Sequence, residues 1–168
     1  MIEQSKSVRY MELVEKRKKY CFKGLLNPSQ IDNGIYDKDT ALGPWSLWQG
    51  NLDAQILVIG QDWGDKDYYT TNKGRDDDKN PTNVNLIKLF QRLNIDIGKP
   101  SQPNANAPTF FTNAILGIKK NGMSSKVKAI WEKESTEEFL KPLIEIIQPK
   151  IIITLGKVAY YSITNKNR

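Results

Sequence analysis

Two polar residues in this chain stand just past short apolar runs. Asp62 lies in QILVIGQDWG (residues 55–64), and Asn113 lies in FFTNAIL (residues 110–116). A carboxylate held at the end of a stiff strand can position or deprotonate a water, and an amide there both donates and accepts hydrogen bonds. In an open α/β sheet, ligands bind just beyond the carboxyl ends of the strands, so both residues fall where chemistry is usually done. A third apolar run, residues 151–155, leads into Gly156 and Lys157, where a helix start would offer backbone N–H groups to an anion. Histidine is absent, which excludes Ser-His-Asp and Cys-His catalysis and every His-ligated metal site. Cys21 is the only cysteine, so no disulfide framework, Cys-rich zinc site or four-cysteine iron–sulfur cluster can be built within one chain. Cys21 reads as a buried, inert thiol on the first helix, in a reducing compartment.

The elements that must position these residues follow from periodicity. Residues 7–22 carry Tyr10, Leu13, Val14, Arg17 and Cys21 at helical spacing. Residues 32–43 read as loop, and Trp45 and Trp48 come together just before the first strand, where core or lid packing is favoured over base stacking. The β-branched run 56–59 suits a parallel strand buried on both faces. Residues 65–79 read as a long polar loop holding Tyr68 and Tyr69. A helix then starts near Asn80-Pro81-Thr82 with Thr82 as its N-cap and Leu86, Leu89, Phe90 and Leu93 as its apolar stripe. After a Pro/Asn-rich connector comes a second strand, 109–112, and then a basic loop, 119–125. Helices are expected at 125–133 and 135–148, the second opened by a Ser135-x-x-Glu138 capping box and kinked by Pro142. A third strand, 151–155, and a short helix, 158–163, complete the order. This pattern predicts one α/β domain, a three-layer sandwich with a short central parallel sheet flanked by helices.

The 168 residues carry a net charge of +6 with a pI near 9.3, and lysines cluster at 16–23 and 119–128. Such an excess suits a polyanionic partner such as nucleic acid, and a solvated surface accounts for it equally well. No run reaches membrane-spanning length and the start lacks a signal-peptide core, so a cytoplasmic location with no membrane partner is expected.

Taken together, these segments resemble the uracil-DNA glycosylase superfamily. Gly60-Gln61-Asp62-Trp63-Gly64 is similar to its first motif, a strand followed by G-[QE]-x-P-[YG]. Phe111-Thr112-Asn113-Ala114 is similar to its strand-T-N-A block, and Pro149 through Ala159 (PKIIITLGKVA) to its P-x-hhhxLG-x-x-A block. The resemblance runs from about Gly43 to about Ile163. It implies that Asp62 orients the attacking water, that Gln61, Trp63, Gly64, Tyr69 and Asn113 contact the base, and that Thr82, Lys119, Lys120, Gly156 and Lys157 meet DNA phosphates. It implies DNA containing uracil or another lesion as partner, and neither a metal, a metal cluster nor any other cofactor.

The chain departs from the family in four places. Trp63 stands for the usual Pro. Gly64 stands where the uracil-specific branch keeps a tyrosine that excludes the thymine methyl group. The stacking aromatic has only Tyr68, Tyr69 and Trp63 as candidates. The last motif, commonly His-Pro-Ser/Gly after a fourth strand, is missing, so a C-terminal truncation is expected, leaving residues 151–155 as an exposed sheet edge open to self-association. The alternative reading is a catalytically inactive DNA- or partner-binding module of the same fold. A nucleotide-binding domain using Gly156-Lys157 is a third, though the Gly-rich loop of a P-loop is lacking.

Overall fold

A computed structural model of the chain describes residues 4–164. Its centre is a three-stranded parallel sheet in the order β4-β1-β5. The strands are β1 (Ile56–Asp62), β4 (Thr109–Ile115) and β5 (Ile151–Thr154). A separate two-stranded hairpin, β2 (Gly98–Lys99) with β3 (Gln102–Pro103), lies in the connector before β4. The register sets Gly60 beside Asn113 and Ile59 beside both Thr112 and Thr154, so the three strands end close together.

Helices cover both faces, which makes the three-layer sandwich. Because side chains alternate across a strand, Leu57, Ile59, Phe110 and Ala114 face one layer. That layer contains α1 (Lys6–Lys19), α5 (Ala129–Ser135), α6 (Lys141–Ile147) and α7 (Lys157–Thr164). Val58 and Phe111 face the other, built from α2 (Pro44–Trp48), α3 (Lys66–Thr71) and α4 (Pro81–Arg92). The outer edge of β4 is covered by the chain at Gln49, whose carbonyl accepts from the Phe111 N–H. The outer edge of β5 has no strand partner among the described residues, and Ile151 is exposed there. No helix among the described residues is long and apolar enough to cross a membrane.

Several sequence expectations change for identifiable reasons. Helix α1 stops at Lys19 because Asn27 reaches back and donates its amide to the carbonyls of Arg17 (2.6 Å) and Tyr20 (2.7 Å), satisfying groups the helix end leaves open. Cys21 therefore lies beyond the helix, and it is exposed rather than buried. The polar stretch 65–79 contains α3, capped by Asp65, whose side chain accepts from the Tyr68 N–H. The cap of α4 is Asn80, not Thr82: the Asn80 carbonyl accepts from the Thr82 N–H. Its buried face is Asn83, Leu86 and Phe90, while Leu89 and Leu93 stay exposed. Ser135 caps nothing; its hydroxyl accepts from the Leu116 N–H at the end of β4.

Helices α5 and α6 are joined by a π turn, Thr136–Leu140. Pro142 has no N–H for the Glu138 carbonyl, and its ring crowds that carbonyl in a regular α-helix. The wider π turn makes room for the ring, and Lys16 supplies the missing donor at 3.2 Å while also pairing with the Glu138 carboxylate.

Arg17, part of the basic run near the start, is fully buried. Its guanidinium donates to Asp37 at 2.6 Å and to the Ala41 carbonyl at 2.9 Å, tying α1 to the 35–43 loop. Removing one member of such a pair strands the other charge away from water. Arg17→Met is expected to lower the unfolding free energy by about 3–5 kcal/mol in urea denaturation, mostly through the uncompensated Asp37.

Candidate functional site

A cleft of about 360 Å³ opens at the carboxyl ends of the strands. This lies within the range of roughly 300–1,000 Å³ usual for ligand sites. Strand β1 contributes Gly60, Gln61 and Asp62, and the turn after it Trp63 and Gly64. Asn113 comes from β4, Leu155 from the end of β5, and Trp45 from α2. The opposite wall is Asp76, Asn80 and Thr82, where the chain enters α4, with Met123 at the mouth.

Gly60 is the point on which the cleft is built. A Cβ at that position would lie 2.5 Å from Asn113 Oδ1 and 2.9 Å from Trp45 Cζ3. The absence of a side chain lets the amide and the indole close on the strand together. Asn113 is 5 % exposed, and no hydrogen bond from the described residues engages its amide, which opens into the cleft. Open to the cleft, its oxygen and nitrogen are free to pair with a ligand that presents matching groups.

Asp62 has a nearly buried side chain. Its Oδ2 accepts from Gln61 Nε2 at 2.8 Å and forms an ion pair with Lys119 Nζ at 3.1 Å. No protein hydrogen bond reaches Oδ1, the oxygen left for a water or ligand among the described residues. Gly64, with φ of 130°, turns the chain sharply after Trp63 in a conformation that favours glycine.

The aromatic wall is held by a polar network. Trp45 Nε1 donates to Asp76 Oδ2 at 2.5 Å, and Tyr68 donates to Asp76 Oδ1 at 2.9 Å. Asn80 in turn donates to the Tyr68 oxygen at 3.2 Å. Tyr68 packs against Trp63 with ring centroids 4.9 Å apart. Burial, reinforced by the Asp76 carboxylate, pushes the Tyr68 phenol up to about 12.

Of the residues singled out from the sequence, Gln61, Asp62, Trp63, Gly64, Thr82 and Asn113 share this cleft. Tyr69 does not: α3 turns it into the core, where it is 1 % exposed, packs edge-on to Trp63, and has its phenol raised by burial. Lys119 is 2 % exposed and its ammonium is engaged with Asp62, so it presents no surface to a phosphate. Lys120 is exposed on the next residue, outside the cleft. Gly156 and Lys157 are exposed at the start of α7 and do not line it, although the adjacent Leu155 does.

Trp45, Asp76, Asn80 and Met123 were not singled out as site residues. Asn80 had a legible signal, an Asx cap before proline, whereas Asp76 is hidden in the run Asp76-Asp77-Asp78, which reads as a solvated charge cluster. Among the described residues no group of His, Cys, Asp or Glu side chains could hold a metal ion.

The structure is that of an α/β protein with a cleft at the carboxyl ends of its parallel strands. Compared with known proteins, the chain matches no protein-family model and no curated protein.

Two outcomes follow from this geometry. Gly60→Ala has ordinary backbone room but no space for its methyl, so it is expected to cost about 1–3 kcal/mol and to shift the Trp45 fluorescence as the ring is displaced. The raised Tyr68 phenol gives a second test. Its neutral form is favoured in the folded state, so its stability contribution is complete below the ordinary value of 10.0 and is lost as pH climbs towards about 12. Urea denaturation across that interval should show falling stability, with a shallower fall in Tyr68→Phe.

Proposed function

We propose that this cleft takes a nucleobase and that the protein is a uracil-DNA-glycosylase-like hydrolase acting on uracil or a related damaged base in DNA. The observation that carries the reading is the Asn113 amide, nearly buried, unpartnered and open to the same cleft as Asp62. An amide of this kind matches the adjacent donor and acceptor on the edge of a pyrimidine. Trp45 and Trp63 supply flat apolar surface beside it, and the exposed Lys120, Lys126 and Lys128 supply positive charge on the chain after β4.

In the reaction, Asp62 Oδ1 accepts a hydrogen bond from a water aimed at the sugar C1′. The bond from C1′ to the base nitrogen breaks and its electron pair leaves with the base. The water oxygen bonds to C1′ and gives up a proton to the carboxylate. Positive charge develops on the sugar in between, and a nearby carboxylate lowers its energy.

A second reading, a binding module of the same fold without catalysis, is favoured by the Lys119 ammonium 3.1 Å from Asp62 Oδ2. That cation offsets the negative charge the transition state would use.

Uracil-containing single- and double-stranded oligonucleotides, incubated with the protein and assayed for abasic sites, test the proposal. Product that disappears in Asp62→Asn and falls about 100-fold or more in Asn113→Ala supports hydrolysis. Salt-dependent binding without product selects the binding module, and absence of both at low salt overturns both readings.

A further inference from the structure

Lys119 has its side chain only 3 % exposed, a position that is costly for an ammonium unless charge and hydrogen bonding compensate it. Two groups do so, from different parts of the site. One is Asp62 Oδ2 at 3.1 Å; the other is the Met123 carbonyl at 2.8 Å. The backbone of the same residue is fastened to the turn after β1. Its N–H donates to the Gly64 carbonyl at 3.1 Å, and its own carbonyl accepts from the Lys66 N–H at 2.9 Å. Lys119 thus grips both sides of the turn that follows Asp62 and reaches back to the carboxylate itself.

Met123 belongs to the loop at 120–125, which turns at Gly122. Its side chain lines the cleft mouth, with Cε 3.4 Å from where a Cβ on Gly64 would lie. Apart from the Met123 carbonyl, this loop is held to the site by little else: residues 120–126 are all exposed.

We propose that Lys119 is a positioning residue that couples Asp62 to the cleft mouth. With Gln61 it holds Oδ2, leaving Oδ1 without a protein hydrogen bond, and through the Met123 carbonyl it fixes the 120–125 loop beside the cleft. Carboxylate orientation and loop position then change together. The inference rests on the cleft being the ligand site proposed above, and the coupling itself is measurable without any ligand.

The test is backbone amide hydrogen exchange on the intact chain, comparing Lys119→Met, Lys119→Arg, Asp62→Asn and the Lys119→Met/Asp62→Asn double variant. Lys119→Met is expected to speed exchange about tenfold at the hydrogen-bonded amides that fasten this loop, those of Lys66, residue 119 and Ser125, while β1 and β4 keep their protection. Asp62→Asn, which alters no atom of the loop, should speed the same amides, because the ammonium has lost its counter-charge. The double variant should be no faster than the faster single one, the signature of a shared interaction. Lys119→Arg, which keeps both the charge and a donor, should restore slow exchange. Unchanged loop exchange in Asp62→Asn overturns the proposal, and this arm decides it even where Lys119→Met fails to fold. Additive effects in the double variant also overturn it, since a purely structural lysine would give that result. Coupled exchange in a protein that forms no abasic product leaves this inference standing and overturns only the catalytic reading.

Discussion

Gly60 sits on the central strand with Asn113 directly beside it in register, and the space its missing side chain leaves is filled from two sides. The Asn113 amide enters from β4 and the Trp45 indole from α2. Everything the cleft can do depends on that crowding. It buries the amide without giving it a protein partner, sets an aromatic surface against it, and leaves Asp62 two residues further along the same face of the strand. A methyl group at this one position would push the amide and the indole apart.

Two buried cations organise the rest, and both do so by linking segments far apart in the chain. Arg17 binds helix α1 to the loop that leads to the tryptophans, and Lys119 binds the end of β4 to the end of β1. Buried ion pairs of this kind contribute little net stability against an apolar replacement, but breaking one side is costly, so they enforce a particular arrangement of the segments they join. The cleft lies between these two fastenings, with Trp45 following the loop that Arg17 holds and Asp62 on the Lys119 side.

The strands were legible because β-branched runs of this length between polar segments have few other uses, and the strand ends then pointed to Asp62 and Asn113 without further information. What escaped was whatever a partner distant in sequence decides. Lys119 looks like a surface lysine in a basic loop until Asp62 and the Met123 carbonyl are placed against it. Tyr69 looks like a stacking residue in a polar loop because α3, of six residues, is too short to show a period. The Ser135-x-x-Glu138 pattern is a valid local cap signal, overridden by the Leu116 N–H that claims the serine hydroxyl. The apolar stripe of α4 was half right, since Leu86 and Phe90 meet the sheet while Leu89 and Leu93 fall on the outer side. Cys21 was misplaced by a single event, the capping of α1 by Asn27.

The order β4-β1-β5 also says how this molecule must assemble in time. The middle strand is the first to be made, and it waits for both neighbours: Ile56 pairs with Thr109 on one side and with Ile151 on the other. Contacts so far apart along the chain close slowly, because a long loop must be gathered before any of them forms. Until β4 and β5 are made, Ile56–Ile59 is an apolar strand without either neighbour, and the cleft, which Leu155 helps to line, is complete only once β5 docks. The strand that carries Asp62 is thus encoded before both of the strands it needs for pairing.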